Sequence, residues 1–173
     1  MPTPNLRRKL RALPDFAENL PSFDPATAPE DPAELFLAWL DEALAAGIPQ
    51  PHAFSLATAD AAGNLSSRML ILKNLDGDGW HFATSRTSRK GRELEENPRA
   101  AMNFYWHGLG RQIRVSGNVV QLSAEASRRD WDERPNSDGA PNPQWQLYAL
   151  APREIEFWQA DPGRRHIRHT YTP

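Results

Sequence analysis

Four short stretches of this sequence carry residue types able to do chemistry. In Ser88-Arg89-Lys90-Gly91-Arg92, Ser88 is placed to cap a helix whose first turn then carries three cations. Free N–H groups and the helix dipole make an N-terminus favour anions, each interaction worth roughly 0.3–1 kcal/mol. Cations there are a local conflict of the kind natural sequences keep mainly at functional sites. A bound phosphate would resolve it by accepting both backbone N–H groups and charged side chains; the alternative is a solvated, slightly unfavourable helix start. In Arg68-Met69-Leu70-Ile71-Leu72-Lys73 an apolar run ends in a cation on either side. At about 3.3 Å per residue those two backbones lie roughly 16 Å apart. The pair could grip a long ligand, anionic at one end and carrying an electron-poor ring at the other, or both side chains could simply snorkel to water.

The third stretch is Arg164-Arg165-His166-Ile167-Arg168-His169. Period-2 alternation places Arg164, His166 and Arg168 on one face of an extended segment. Three such groups in line repel unless an anion sits among them; a nucleic-acid stripe or a plain basic edge would give the same pattern. In the fourth, Glu156-Phe157-Trp158-Gln159, the indole is placed either in the core or along a planar ring.

Other chemistries are absent. With no Cys there is no disulfide framework, thiolate zinc site or cysteine nucleophile. There is no Gly-rich phosphate loop and no paired-His helix motif, and His107, His166 and His169 are too scattered to propose a metal site. No Ser sits in a nucleophile elbow. If the chain is an enzyme, a cofactor carries the hard chemistry. A formal net charge of -2 argues against wrapping nucleic acid in a general positive field. No apolar run approaches the roughly 20 residues of a membrane-spanning helix, and no signal-peptide core follows the basic start. The expectation is a soluble cytoplasmic protein with no nucleic-acid or membrane partner.

The elements that must position these residues follow from period and punctuation. A length of 173 residues suits one domain: an N-terminal arm over 1–30, partly flexible with at most one short helix, then one folded domain over 31–173. Asp31 caps a helix, with Pro32 in its first turn and Glu34 completing a capping-box pattern. Phe36, Trp39, Leu40, Ala43 and Leu44 recur at helical spacing, and Gly47 stops it. Strands are expected at Ala53–Ala59, Leu65–Lys73, Trp80–Thr84, Ala100–Trp106 and Arg111–Val120. Asp60–Asn64 and Asn74–Gly79 read as turns, and His107–Gly110 as a tight link. Helices capped by Ser88 and Ser123 reach about Asn97 and Arg134. A polar loop spans 135–145, and strands near Leu147–Ala151, Ile155–Gln159 and Arg165–Tyr171 complete the chain. Many short antiparallel strands with a few helices predict a mainly β barrel with flanking helices. The strand beginning at Arg68 is apolar on both faces, so it needs covering on both sides, and a two-fold partner would supply the second cover.

Taken together, Arg68–Lys73, Thr84, Ser88–Gly91, Asn97-Pro98, Phe104–Trp106, Arg111–Arg114, Arg134-Pro135, Glu156–Gln159 and Arg164–Arg168 occur in an order and spacing that resembles one family. This is the pyridoxamine/pyridoxine 5'-phosphate oxidase family, and the resemblance runs from about Asp31 to the C-terminus. It implies an FMN-binding split β-barrel (a Greek-key antiparallel barrel), homodimeric, with FMN at the subunit interface. It implies FMN contacts from Arg68, Met69, Leu70, Ile71, Leu72, Lys73, Ala83, Thr84, Arg89, Lys90 and Gln112, with Trp158 and Arg168 contributed by the second subunit. Lys73, Arg134 and Ser137 would take the phosphate of a phosphorylated vitamin B6 substrate. Arg164 and His166 would flank its ring as the catalytic pair, with O₂ as electron acceptor.

Two departures bear on that expectation. Where the family usually has a Tyr at the substrate phosphate, this chain has Asp130, with Trp131 beside it, and an Asp facing a phosphate dianion is repulsive. The stretch from Arg134 to Trp145 is also much shorter than is typical. It lacks a Gln-Ser pair that contacts FMN, with Gly139-Ala140 the only remnant. A flavin oxidoreductase of the same fold acting on a different small aromatic or amine substrate is therefore the alternative. A non-catalytic polyanion or nucleic-acid binder is a third.

Overall fold

The computed structural model describes residues 5–173. One eight-stranded antiparallel sheet carries the molecule. Its strands are β1 (Ala53–Ala59), β2 (Leu65–Ile71), β3 (Asn74–Asp76), β4 (Gly79–Ser85), β5 (Arg99–Trp106), β6 (Arg111–Gln121), β7 (Trp145–Gln159) and β8 (Ile167–Tyr171). They pair in the order β2-β1-β5-β6-β7-β4-β3, with β8 on the far half of β7. The helices are α1 (Leu6–Arg11), α2 (Pro32–Ala45), α3 (Arg89–Glu96) and α4 (Ala124–Asp132). This is the mainly β architecture with flanking helices that the sequence predicts.

Helix α2 covers the core. The Asp31 carboxylate accepts from Ala33 N at 2.8 Å, and Pro32 occupies the first turn. Leu35, Phe36, Trp39 and Ala43 form its buried stripe; Leu44, expected on that stripe, is instead exposed and Leu35 takes its share. Phe36 packs against Trp80 and Phe104, and Trp39 against Phe157. Each such ring contributes roughly 1.5–3 kcal/mol by leaving water. The buried Arg111 guanidinium at the start of β6 lies 4.1 Å from the Trp39 ring centre and pairs with Glu42 at 2.8 Å, tying α2 to the sheet.

Three differences from the sequence reading have clear causes. Asn74–Gly79 is a hairpin rather than a bare turn, because β3 pairs with β4 through Leu75 and Trp80. The two strands expected around Pro152 are one, β7. The register shift between Ser116 and Gly117 sets Gly117 opposite Pro152, where the missing N–H costs least. The third concerns Arg164. Pro162 and Gly163 form a turn, Arg164 adopts φ 60°, and the strand begins only at Ile167, so Arg164 does not share an alternating face with His166 and Arg168.

Strand β2 lies at an edge of the sheet. Leu70 and Leu72 pack toward the core, whereas Met69 (64% exposed) and Ile71 (41%) face outward, so within one chain the run is covered on one side only.

Candidate functional site

The helix-start cations meet a carboxylate that no sequence pattern singles out. Ser88 caps α3, its Oγ accepting from Gly91 N at 3.1 Å, as the spacing predicts. Helix α3 then presents Glu93 to the sheet. Thr58 on β1 and Ser66 on β2 both donate hydroxyls to the Glu93 carboxylate. Arg89 Nε reaches it at 2.7 Å and Arg68 Nη2 at 3.3 Å. Burial alone would raise the Glu93 carboxyl, but the hydrogen bonds from Thr58, Ser66, Arg89 and Arg68 outweigh it and hold it at about 2. Burial, and secondly the Arg68 charge, push the Lys90 ammonium down, with Glu93 pulling the other way. Arg68, Arg89 and Lys90 therefore gather at one helix N-terminus around a single anion, leaving a charge excess of two. Glu93 was missed because Arg-Glu-Leu-Glu-Glu reads as an ordinary solvated helix face. Only the sheet reveals which of its acids is buried.

Beside this group, the buried Ala83 and Thr84 lie on β4, and Thr84 Oγ1 is 3.2 Å from the capping Ser88 Oγ. The helix is pressed hard against the turn before it. A Cβ on Gly91 would stand 2.5 Å from the carbonyl oxygen of Ser85 and 2.6 Å from that of Arg86, so only glycine fits.

A second group forms across β6, β7 and β8. Gln112 is paired with Trp158 and Trp158 with Arg168, three side-by-side positions that line a cavity of about 460 Å³. Phe16 of the N-terminal arm reaches this cavity, its ring 5.7 Å from that of Trp158. The His166 ring lies 4.8 Å from Trp158, and His166 Nδ1 accepts from Asp161 N at 3.1 Å. Arg164 turns aside to an exposed pair with Asp15 at 2.9 Å. None of Arg68, Arg89 or Lys90 lines this cavity.

The third group surrounds α4. Lys73, just past β2, has its Nζ 3.4 Å from Asp130 Oδ1. Asp130 Oδ2 accepts from Trp145 Nε1 at 2.7 Å. Arg134 lies flat over the Trp131 ring at 3.2 Å, and 5.2 Å from Trp145. Its Nε donates to the Trp131 carbonyl, and Ser137 is held nearby through its N–H to the Arg134 carbonyl. The sequence flagged Asp130 as out of place but could not show what it pairs with. A group not anticipated, Asp76, Asp78 and the buried His81 on the β3–β4 hairpin, has its ligand-type atoms within 4.8 Å of one another.

Comparison with known proteins agrees with this architecture. Residues 40–159 match the family model described as pyridoxamine 5'-phosphate oxidase. A Bordetella avium protein named pyridoxine/pyridoxamine 5'-phosphate oxidase is 37% identical over 82% of this chain and 83% of its own. A Salinibacter ruber protein of the same name is 37% identical over 82% of each. Among solved structures, PhzG from Burkholderia lata, determined with tetrahydrophenazine-1-carboxylic acid, superposes with a TM-score of 0.83. It is 31% identical, over 89% of this chain and 93% of that one. An FMN-binding protein of Nostoc punctiforme shares the fold at a TM-score of 0.58 and 16% identity, over 79% of this chain and 96% of that one. Family match, relatives and sheet topology agree, and this chain, a split β-barrel, belongs to the pyridoxamine 5'-phosphate oxidase family.

Proposed function

We propose that this chain is an FMN-dependent oxidase of a small aromatic substrate, removing a hydride from a ring-attached carbon that bears an amine or hydroxyl. The observation that carries the reading is the convergence of Arg68, Arg89 and Lys90 on the N-terminus of α3 with only Glu93 to balance them. That donor set fits a phosphate dianion, which takes charge-assisted bonds from the cations and from the free amides of the first turn. When bound, FMN supplies the hydride acceptor and the route of electrons to O₂.

The chain's own residues bind and orient. Thr84 and Gln112 offer hydrogen bonds to the cofactor's polar edge, Ala83 and the 69–72 backbone line its approach, and Trp158 with Arg168 closes it from a second copy. Two features support the second copy: the exposed Met69 and Ile71 on β2, and the absence of Arg68, Arg89 and Lys90 from the cavity that Trp158 and Arg168 line within one chain. Light scattering should give a dimer, and a monomer that retains flavin would contradict the shared site. His166 orients the substrate ring. Arg164 joins it only once it leaves Asp15, an exposed pair worth little.

The test is direct. Purified protein should be yellow, and its apo form should bind FMN far more tightly than riboflavin, which lacks the phosphate. Equal affinity for the two would remove the anion site and the reading with it. The names of the curated relatives make pyridoxamine or pyridoxine 5'-phosphate the first substrates to assay, with Lys73, Arg134 and Ser137 at the substrate phosphate. A second reading, the same chemistry on a different aromatic or amine substrate, is favoured by one observation: Lys73 is already paired with Asp130.

A further inference from the structure

The Lys73–Asp130 contact sits in a closed set of interactions. Both carboxylate oxygens of Asp130 are in use, one on the Lys73 ammonium and one on the Trp145 indole N–H. The pair is mostly shielded, with 20% of the Lys73 side chain and 14% of the Asp130 side chain accessible, so solvent screens it less than a surface pair. Arg134, the other cation expected at a substrate phosphate, lies over the Trp131 ring. The cavity of about 510 Å³ that Lys73 borders is lined by four carboxylates, Asp76, Asp78, Asp130 and Glu133, against two permanent cations, Lys73 and Arg129. A phosphate monoester entering it would meet a net negative wall.

We infer that Asp130 determines substrate choice: by holding Lys73 it removes the cation a phosphate would need, so the substrate presents an uncharged or cationic end there. The inference rests on the flavin-oxidase reading and narrows its substrate class to unphosphorylated aromatic compounds. Asp130 acts through Lys73 and is a specificity residue, not a catalytic one. Discrimination works by repulsion as much as by fit.

Pyridoxamine and pyridoxamine 5'-phosphate test this, since they share ring and oxidisable carbon and differ only in the phosphate. Binding of each to FMN-loaded protein is followed by the flavin spectrum or by calorimetry. The natural chain should bind the phosphorylated compound no more tightly than the free one. Asp130→Asn keeps an acceptor for Trp145 but releases Lys73, and should raise affinity for the phosphorylated compound about tenfold while changing the free one less than about twofold. Asp130→Ser serves as a second variant should the first fold poorly. A natural chain that prefers the phosphorylated compound by about tenfold or more, or variants that gain no affinity for it, would overturn the inference. Flavin uptake is read separately from the visible spectrum. A colourless protein sinks the oxidase reading and this inference together, whereas a yellow protein with a phosphate preference sinks this inference alone.

Discussion

The start of α3 and the end of α4 hold similar inventories of charge and use them in opposite ways. At α3, one buried carboxylate organises Arg68 and Arg89, with Lys90 beside them, and the excess stays positive. Around α4, one carboxylate cancels Lys73, and Arg134 is laid on an indole. Composition alone does not distinguish an anion site from a neutral one. What matters is whether the acid props the cations apart for a ligand or takes the ligand's place.

The largest effect should come from emptying the first region. Arg89→Ala/Lys90→Ala removes charge-assisted bonds worth about 1.5–3 kcal/mol each, so FMN affinity should fall about a hundredfold or more in a fluorescence titration. Riboflavin affinity should move little. An equal loss for both would mean the two cations only support the fold, and the contrast between the regions would vanish.

Next comes Glu93→Gln, which strands two arginines and two hydroxyls around a neutral amide. Loss of one partner from a buried ionic group costs about 3 kcal/mol, read as a lower urea midpoint. A variant that is equally stable and binds FMN more tightly would show Glu93 to be a mere counter-charge. The same residue sets a pH dependence. Its folded carboxyl sits at about 2, below its ordinary 4.5. Its stabilisation is therefore complete above pH 4.5 and lost as pH falls toward 2. Urea midpoints taken down that range should fall for the natural chain and stay flatter for Glu93→Gln. The smallest effect belongs to α4: Arg134→Leu removes the cation from the Trp131 face and the Nε bond to the Trp131 carbonyl, together about 1–2 kcal/mol. A thermal shift much beyond that would mean Arg134 does more than rest there.

Local signals were legible where a residue and its partner are close in sequence. Asp31 and Ser88 cap the helices they were expected to cap, and β1 runs from Ala53 to Ala59 as its alternation predicts. The site cations could be picked out because charge at a helix start contradicts its dipole. Glu93 could not, since its partners Thr58 and Ser66 lie 35 and 27 positions away and arrive only when β1 and β2 pair beneath α3. Asp130 was visible as an anomaly, but its Trp145 partner lies beyond a loop that carries no period. Arg164 shows the reverse: the alternation expected over Arg164, His166 and Arg168 fails at its first member, because the Pro162-Gly163 turn leaves Arg164 at φ 60° and outside the strand.

The close approach at Gly91 has a consequence for how such a protein can change over generations. With carbonyl oxygens of Ser85 and Arg86 so near that no methyl group fits, the first turn of α3 cannot slide relative to β4 without unpicking the sheet. Under the proposed function, any change of substrate would be written at the other pole, where the tilted Trp131 and Trp145 rings pack beside a polar loop. On that reading the cofactor end would be fixed by main chain and the substrate end left to side chains.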